Sequence, residues 1–105
     1  MTAKRKEETC EAQLRRNCKC IAMDITNGKE DASKWMEGVY DIRYLVGSDK
    51  EYLGAMLMVA GGGPTIWVNT WTKEVEGYWA GDKCTHHFQD NIGLDDYNEE
   101  MYNCS

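Results

Sequence analysis

The sequence predicts an α+β domain: a four-stranded antiparallel β-meander with an N-terminal helix and a short C-terminal helix packed on one face. Three observations predict it. Apolar residues recur at helical spacing only towards the two ends of the chain, period-two alternation fills the middle, and Gly-containing turn signals separate the first three alternating runs. The 105 residues suit one domain over 1–105, with a helical segment over 1–37, an antiparallel sheet over 38–88 and an acidic C-terminal helix over 89–105.

Each element follows in order. Leu14, Cys18, Ile21 and Ile25 recur at steps of four, three and four, which aligns them on one helical face. Asn27-Gly28 ends that helix, because both residues tolerate the left-handed cap conformation. Asp31 is placed to cap a second short helix over 32–37 that carries Trp35 and Met36. Residues 39–46 alternate, with Tyr40, Ile42, Tyr44 and Val46 on one side and Asp41 and Arg43 on the other. After a turn over 47–51, residues 52–60 form a second strand with Leu53, Ala55, Leu57 and Val59 on one face. Gly61-Gly62-Gly63-Pro64 breaks the chain, and residues 65–71 and 74–80 form a hairpin turning at Thr72-Lys73. That turn sets Ile66 opposite Trp79, Val68 opposite Gly77 and Trp67 opposite Tyr78. Ile66, Val68, Val75 and Trp79 then enter the core, while Trp67, Trp71 and Tyr78 take the other face; a slip of one residue would exchange the faces. At the end of the chain Asp95 is placed to cap a helix with Leu94, Tyr97, Met101 and Cys104 turned inward.

Composition bounds the function. No apolar run approaches a membrane span, and the charged start Met1-Thr2-Ala3-Lys4-Arg5-Lys6-Glu7-Glu8 predicts no secretory leader and a cytoplasmic location. Five cysteines, an odd number, are expected as free thiols in that compartment. Net charge is uneven: residues 1–20 carry +3 and the remaining 85 carry −9. A negative body opposes binding to the outside of a nucleic acid and suits a basic partner, although net charge also serves plain solubility. The N-terminal excess of three charges allows only weak, salt-sensitive contact with DNA.

Several motifs invite chemistry and are read conservatively. Cys18 and Cys20 lie roughly 200° apart on a helix and cannot chelate one ion. Cys84 and His86 share a face if their segment is a strand, but a structural zinc needs four ligands and no CxxC or HxxxH spacing supplies the others. The same pair lacks the marks of a Cys–His nucleophile, so neither an enzyme nor a cofactor is predicted. The triple glycine leads into a strand and lacks the Gly-Lys-Ser/Thr ending of a phosphate loop. Two surfaces remain. One is acidic: Asp90, Asp95, Asp96, Glu99 and Glu100, with no Lys or Arg between them, either a solvated face or a phosphate mimic for a basic groove. The other is the aromatic face of Trp67, Trp71 and Tyr78 with Met56 and Met58 alongside, either a protein interface or a surface covered by the N-terminal helix or a second copy.

Two stretches carry a resemblance: residues 62–70, Gly-Gly-Pro-Thr-Ile-Trp-Val-Asn-Thr, and residues 75–82, Val-Glu-Gly-Tyr-Trp-Ala-Gly-Asp. With Asp41-Ile42-Arg43-Tyr44 and Gly47-Ser48-Asp49, the segment over about 38–100 resembles small proteins of gut Firmicutes phages and mobile elements, and through them type II-A anti-CRISPR proteins. The resemblance implies a non-enzymatic inhibitor that binds a type II Cas nuclease with its guide RNA inside the host bacterium. The acidic residues, with Asp82 added, would face the positively charged nucleic-acid channels of the nuclease, and the aromatics would anchor the contact. The alternatives are a structural or regulatory mobile-element protein that homodimerises through the aromatic face, and a small zinc-binding module.

Overall fold

The computed structural model describes residues 10–104. Helix α1 (Cys10–Thr26) leads to a short helix α2 (Ala32–Trp35) and a 3-10 turn (Met36–Gly38). Strands β1 (Asp41–Val46), β2 (Tyr52–Ala60), β3 (Thr65–Asn69), β4 (Glu74–Trp79) and β5 (Asp82–His87) follow, and helix α3 (Leu94–Asn103) closes the chain. The strands form one antiparallel meander in the order β1-β2-β3-β4-β5. No helix among the described residues is long and apolar enough to cross a membrane.

Local chemistry explains the helix ends. Gly28 takes a left-handed φ of 67°, and its amide donates to the Ile25 carbonyl oxygen at 3.1 Å, closing the last turn of α1. Asp31 caps α2 by accepting the Lys34 amide at 3.0 Å. Three of the four stripe residues are buried as the spacing predicts: Leu14, Cys18 and Ile25, joined by Ala22, pack on the face of the sheet that carries Ala55, Leu57, Ile66, Val68 and Val75, while Ile21 is half-buried at the rim. Each large aliphatic side chain removed from water there stabilises the fold by about 1.5–3 kcal/mol. Both long helices lie on this one face, α1 over β4 and β5 and α3 over β2.

The sheet has five strands, not the expected four. Asp82–His87 offers no apolar alternation, and only Cys84 in it is buried. Its turn is also cryptic. Ala80 and Gly81 both take positive φ, 54° and 85°, the two-residue hairpin geometry that Asn-Gly normally announces. An alanine in that conformation is strained, so Ala80→Asn is expected to raise stability by about 0.5–1 kcal/mol. Urea denaturation of the two proteins side by side checks this.

The β3–β4 register also differs from the one expected. Ile66 pairs with Gly77, Trp67 with Glu76 and Val68 with Val75, two residues from the anticipated pairing. The reason is a four-residue loop, 70–73, in place of a two-residue turn. The Asn69 side-chain oxygen accepts the amides of Trp71 and Thr72 at 2.9 and 3.0 Å, the Lys73 amide donates to the Asn69 carbonyl oxygen at 2.9 Å, and Lys73 takes a φ of 62°. A shift of two preserves the faces, so Ile66, Val68 and Val75 are buried as anticipated and Trp79 is partly buried against them.

Helix α3 is rotated from its expected setting. Leu94 is buried and Tyr97 half-buried, but Met101 and Cys104 face solvent. Asn98 takes the buried position instead, donating to the Leu94 carbonyl oxygen at 2.9 Å. Tyr102 turns onto Tyr44 and Tyr52, with ring centroids at 5.2 and 5.8 Å, and that aromatic cluster sets the rotation. In β1 only Tyr44 of the expected apolar face is half-buried, since Tyr40, Ile42 and Val46 remain exposed at the sheet edge.

Candidate interaction surface

Among the described residues no helix lies on the second face of the sheet. Pleating and register place there the row Met58, Trp67, Glu76 and Thr85, the row Met56, Asn69, Glu74 and His87, and the row Thr65, Tyr78 and Lys83. Trp71 joins this face from the β3–β4 loop by a close approach. A Cβ built on Gly54 would lie 2.6 Å from the Trp71 Cβ, so only glycine lets the loop fold down over β2. The three aromatics singled out from the sequence therefore share one uncovered face; Trp71 is 57 % and Tyr78 38 % exposed.

Two cations frame the aromatics. The Arg43 guanidinium lies 5.3 Å from the Trp67 ring centroid, and the Lys83 ammonium 5.8 Å from the Tyr78 ring. Arg43 Nε also donates to Asp41 at 3.1 Å, and the Tyr78 hydroxyl donates to Glu76 Oε1 at 3.2 Å. Burial first, and then the Glu76 carboxylate, push the Tyr78 hydroxyl up from its ordinary range. Arg43 was not singled out from the sequence as part of this surface. Its signal was there, because Arg43 falls on the polar side of the β1 alternation, the side that Met56 and Met58 occupy in β2.

The acidic residues do not form one surface. Asp90 is spent on the helix start: its carboxylate accepts the amides of Gly93, Leu94 and Asp95 at 3.0, 2.8 and 2.8 Å. It supplies the cap that the sequence assigned to Asp95. The Asp95 carboxylate instead reaches the sheet, accepting the Tyr52 hydroxyl and the Thr70 hydroxyl at 2.9 Å each, and Thr70 in turn accepts the Ala55 amide at 2.8 Å. Burial, and after it the Asp95 carboxylate, push the Tyr52 hydroxyl upward. Asp82 begins β5 at the opposite end of the sheet from α3. Only Asp96, Glu99 and Glu100 remain exposed together on α3, on the helix-bearing side of the sheet and away from the aromatic face. Among the described residues Asp95, Asp96 and Glu99 form a group with carboxylate oxygens within 4.8 Å of one another.

Cys84 is buried against Cys18, Sγ to Sγ 3.3 Å, and His86 Nδ1 lies 3.1 Å from the carbonyl oxygen of His87. Cys84 is thus engaged with a second thiol rather than with an imidazole. Burial, and then the neighbouring Cys84, push the Cys18 thiol up to about 12. The unfolded chain releases that proton near 9, so between about 9 and 12 the unfolded state binds fewer protons and stability falls as pH rises. Urea midpoints taken under reducing conditions at stepped pH are expected to show this decline, and Cys18→Ala is expected to flatten it.

Fold and surface together define a two-layer α+β protein, helices over one side of a single sheet, whose other face bears aromatics and methionines and carries no helix among the described residues. A scan against protein-family models found no match, and searches of curated proteins and of solved structures found no similar chain.

Proposed function

We propose that this chain works by binding a protein through the uncovered sheet face, as a non-enzymatic inhibitor of a type II Cas nuclease in the cytoplasm of the host bacterium. The observation that supports a binding role is the clustering of Trp67, Trp71 and Tyr78 with Met56 and Met58 on the face that neither helix covers. Trp, Tyr and Met are enriched at protein interfaces, and side chains of this kind dominate binding energy when a partner encloses them. The choice of partner rests on the resemblance of residues 38–100 to small phage and mobile-element proteins, through them to type II-A anti-CRISPR proteins, and on the net charge of −6, which suits a basic partner. In this reading Asp96, Glu99 and Glu100 steer the encounter from the other side of the sheet, and the aromatics hold the complex.

A cleavage assay with purified type II-A nuclease, guide RNA and target DNA tests the reading. Loss of cleavage near one equivalent of inhibitor is expected, and undiminished cleavage at large excess refutes it for that nuclease. Replacing Asp96, Glu99 and Glu100 by Lys is expected to slow association and weaken its salt dependence, with a smaller effect on dissociation. Surface plasmon resonance at two salt concentrations reads that difference.

A further inference from the structure

We propose that the chain pairs with a second copy of itself along the free edge of β1, as antiparallel strands related by a two-fold axis through Ile42. This assembly is built on the sheet edge and does not rest on the proposed function, although Arg43 also borders the open face.

The two edges of the sheet differ. β5 presents Lys83, Thr85 and His87, all exposed, and an edge lysine discourages strand addition. β1 carries no Lys and no Pro, and large apolar groups stand in water along it: Ile42 is 40 % exposed, and Tyr40, just before the strand, 75 %. Edge strands of that character are templates for another strand.

Charge and geometry select the register. With the axis at Ile42, Asp41 lies opposite Arg43 of the second copy, and symmetry supplies the pair twice. Opposite charges directly across a strand pair are stabilising. Within one chain these two groups already meet at 3.1 Å, with the Arg43 side chain 69 % and the Asp41 side chain 43 % exposed, so both are turned to a common side of the edge with surface left for a second partner. An axis at Arg43 would set guanidinium against guanidinium. An axis at Tyr44 would set Arg43 opposite Leu45 of the second copy and leave Asp41 with no opposite charge. The Ile42 register needs only residues 40–44. It also brings Tyr40, by extension of the strand alternation, onto Tyr44 of the second copy, where Tyr102 already packs. A two-fold axis through a residue is compatible with either hydrogen-bonding phase of an antiparallel pair. The axis is perpendicular to the sheet, so the two open faces lie on the same side and all helices on the other.

Sedimentation velocity of the full chain under reducing conditions tests the proposal, with far-UV circular dichroism confirming that each variant is folded. The wild-type chain is expected to dimerise. Asp41→Arg and Arg43→Asp, which set like charges across the axis, are each expected to raise the dimer dissociation constant at least about tenfold. Mixed in equal amounts, the two variants are expected to reassociate as a heterodimer, since each then supplies the charge that the other lacks. A wild-type chain that stays monomeric to its solubility limit overturns the proposal. So does a dimer indifferent to both substitutions, including one lost only on changing Trp67 or Trp71, and so does a mixture that stays monomeric.

Discussion

Asp95→Ala is expected to lower the stability of the fold by about 2–4 kcal/mol, although Asp95 sits in an acidic stretch that reads as surface. Its carboxylate joins three parts of the chain: the first turn of α3, the start of β2 through the Tyr52 hydroxyl, and the β3–β4 loop through the Thr70 hydroxyl. Thr70 is fully buried, and its oxygen also holds the Ala55 amide. Removing the acceptor strands a buried hydroxyl and a half-buried phenol, and the desolvation of those groups is no longer repaid by a hydrogen bond. Asp95→Asn keeps one side-chain oxygen and is expected to lose less than half as much. Urea unfolding followed by tryptophan fluorescence measures both. A cost for Asp95→Ala within about 0.5 kcal/mol, the range of ordinary surface changes, would show that α3 is held by its apolar contacts alone.

Gly77→Ala is expected to cost about 1–3 kcal/mol by overpacking the contact between α1 and the sheet. A Cβ at residue 77 would meet Cys18 Sγ at 2.6 Å and Leu14 Cδ1 at 2.9 Å. Neither neighbour has an easy retreat. Both are buried, and the Cys18 sulfur already lies 3.3 Å from that of Cys84. The absent side chain at residue 77 is what lets α1 settle over β4. Shortening Cys18 removes the closer of the two obstacles, so Gly77→Ala made together with Cys18→Ala is expected to cost less than the sum of the single changes by at least about 0.5 kcal/mol. A double-mutant cycle on urea midpoints supplies the coupling, and strict additivity would mean that the helix shifts bodily instead.

The parts of the fold written in local pattern were legible. The α1 stripe, its Gly28 stop and the Asp31 cap each depend on residues within a few positions of one another. The two faces of the β3–β4 hairpin survived a wrong register because the error was an even number of residues. What escaped was non-local or chemically atypical. β5 escaped because its turn uses Ala80 where asparagine is usual, and because its burial depends on α1 bringing Cys18 to Cys84. The four-residue loop escaped because it is set by the Asn69 side chain and by Gly54, a residue of another strand. The candidate site divided in the same way. Trp67 and Tyr78 were grouped correctly from alternation, Trp71 reaches their face from the loop rather than as the strand residue that alternation assumed, and Arg43 follows once β1 is laid beside β2. The acidic set could not be sorted from sequence, because a carboxylate that caps a helix, one that clasps a threonine across the core and one that faces water look alike in a linear chain.

The sheet-face account is tested most directly by one titration: inhibition of guide-loaded type II-A nuclease by the wild-type chain and by the Trp71→Ser/Tyr78→Ser double variant. The two side chains are exposed, so the variant is expected to stay folded while its inhibition constant rises at least about tenfold. Equal inhibition by the two proteins, or none by either, would contradict the account.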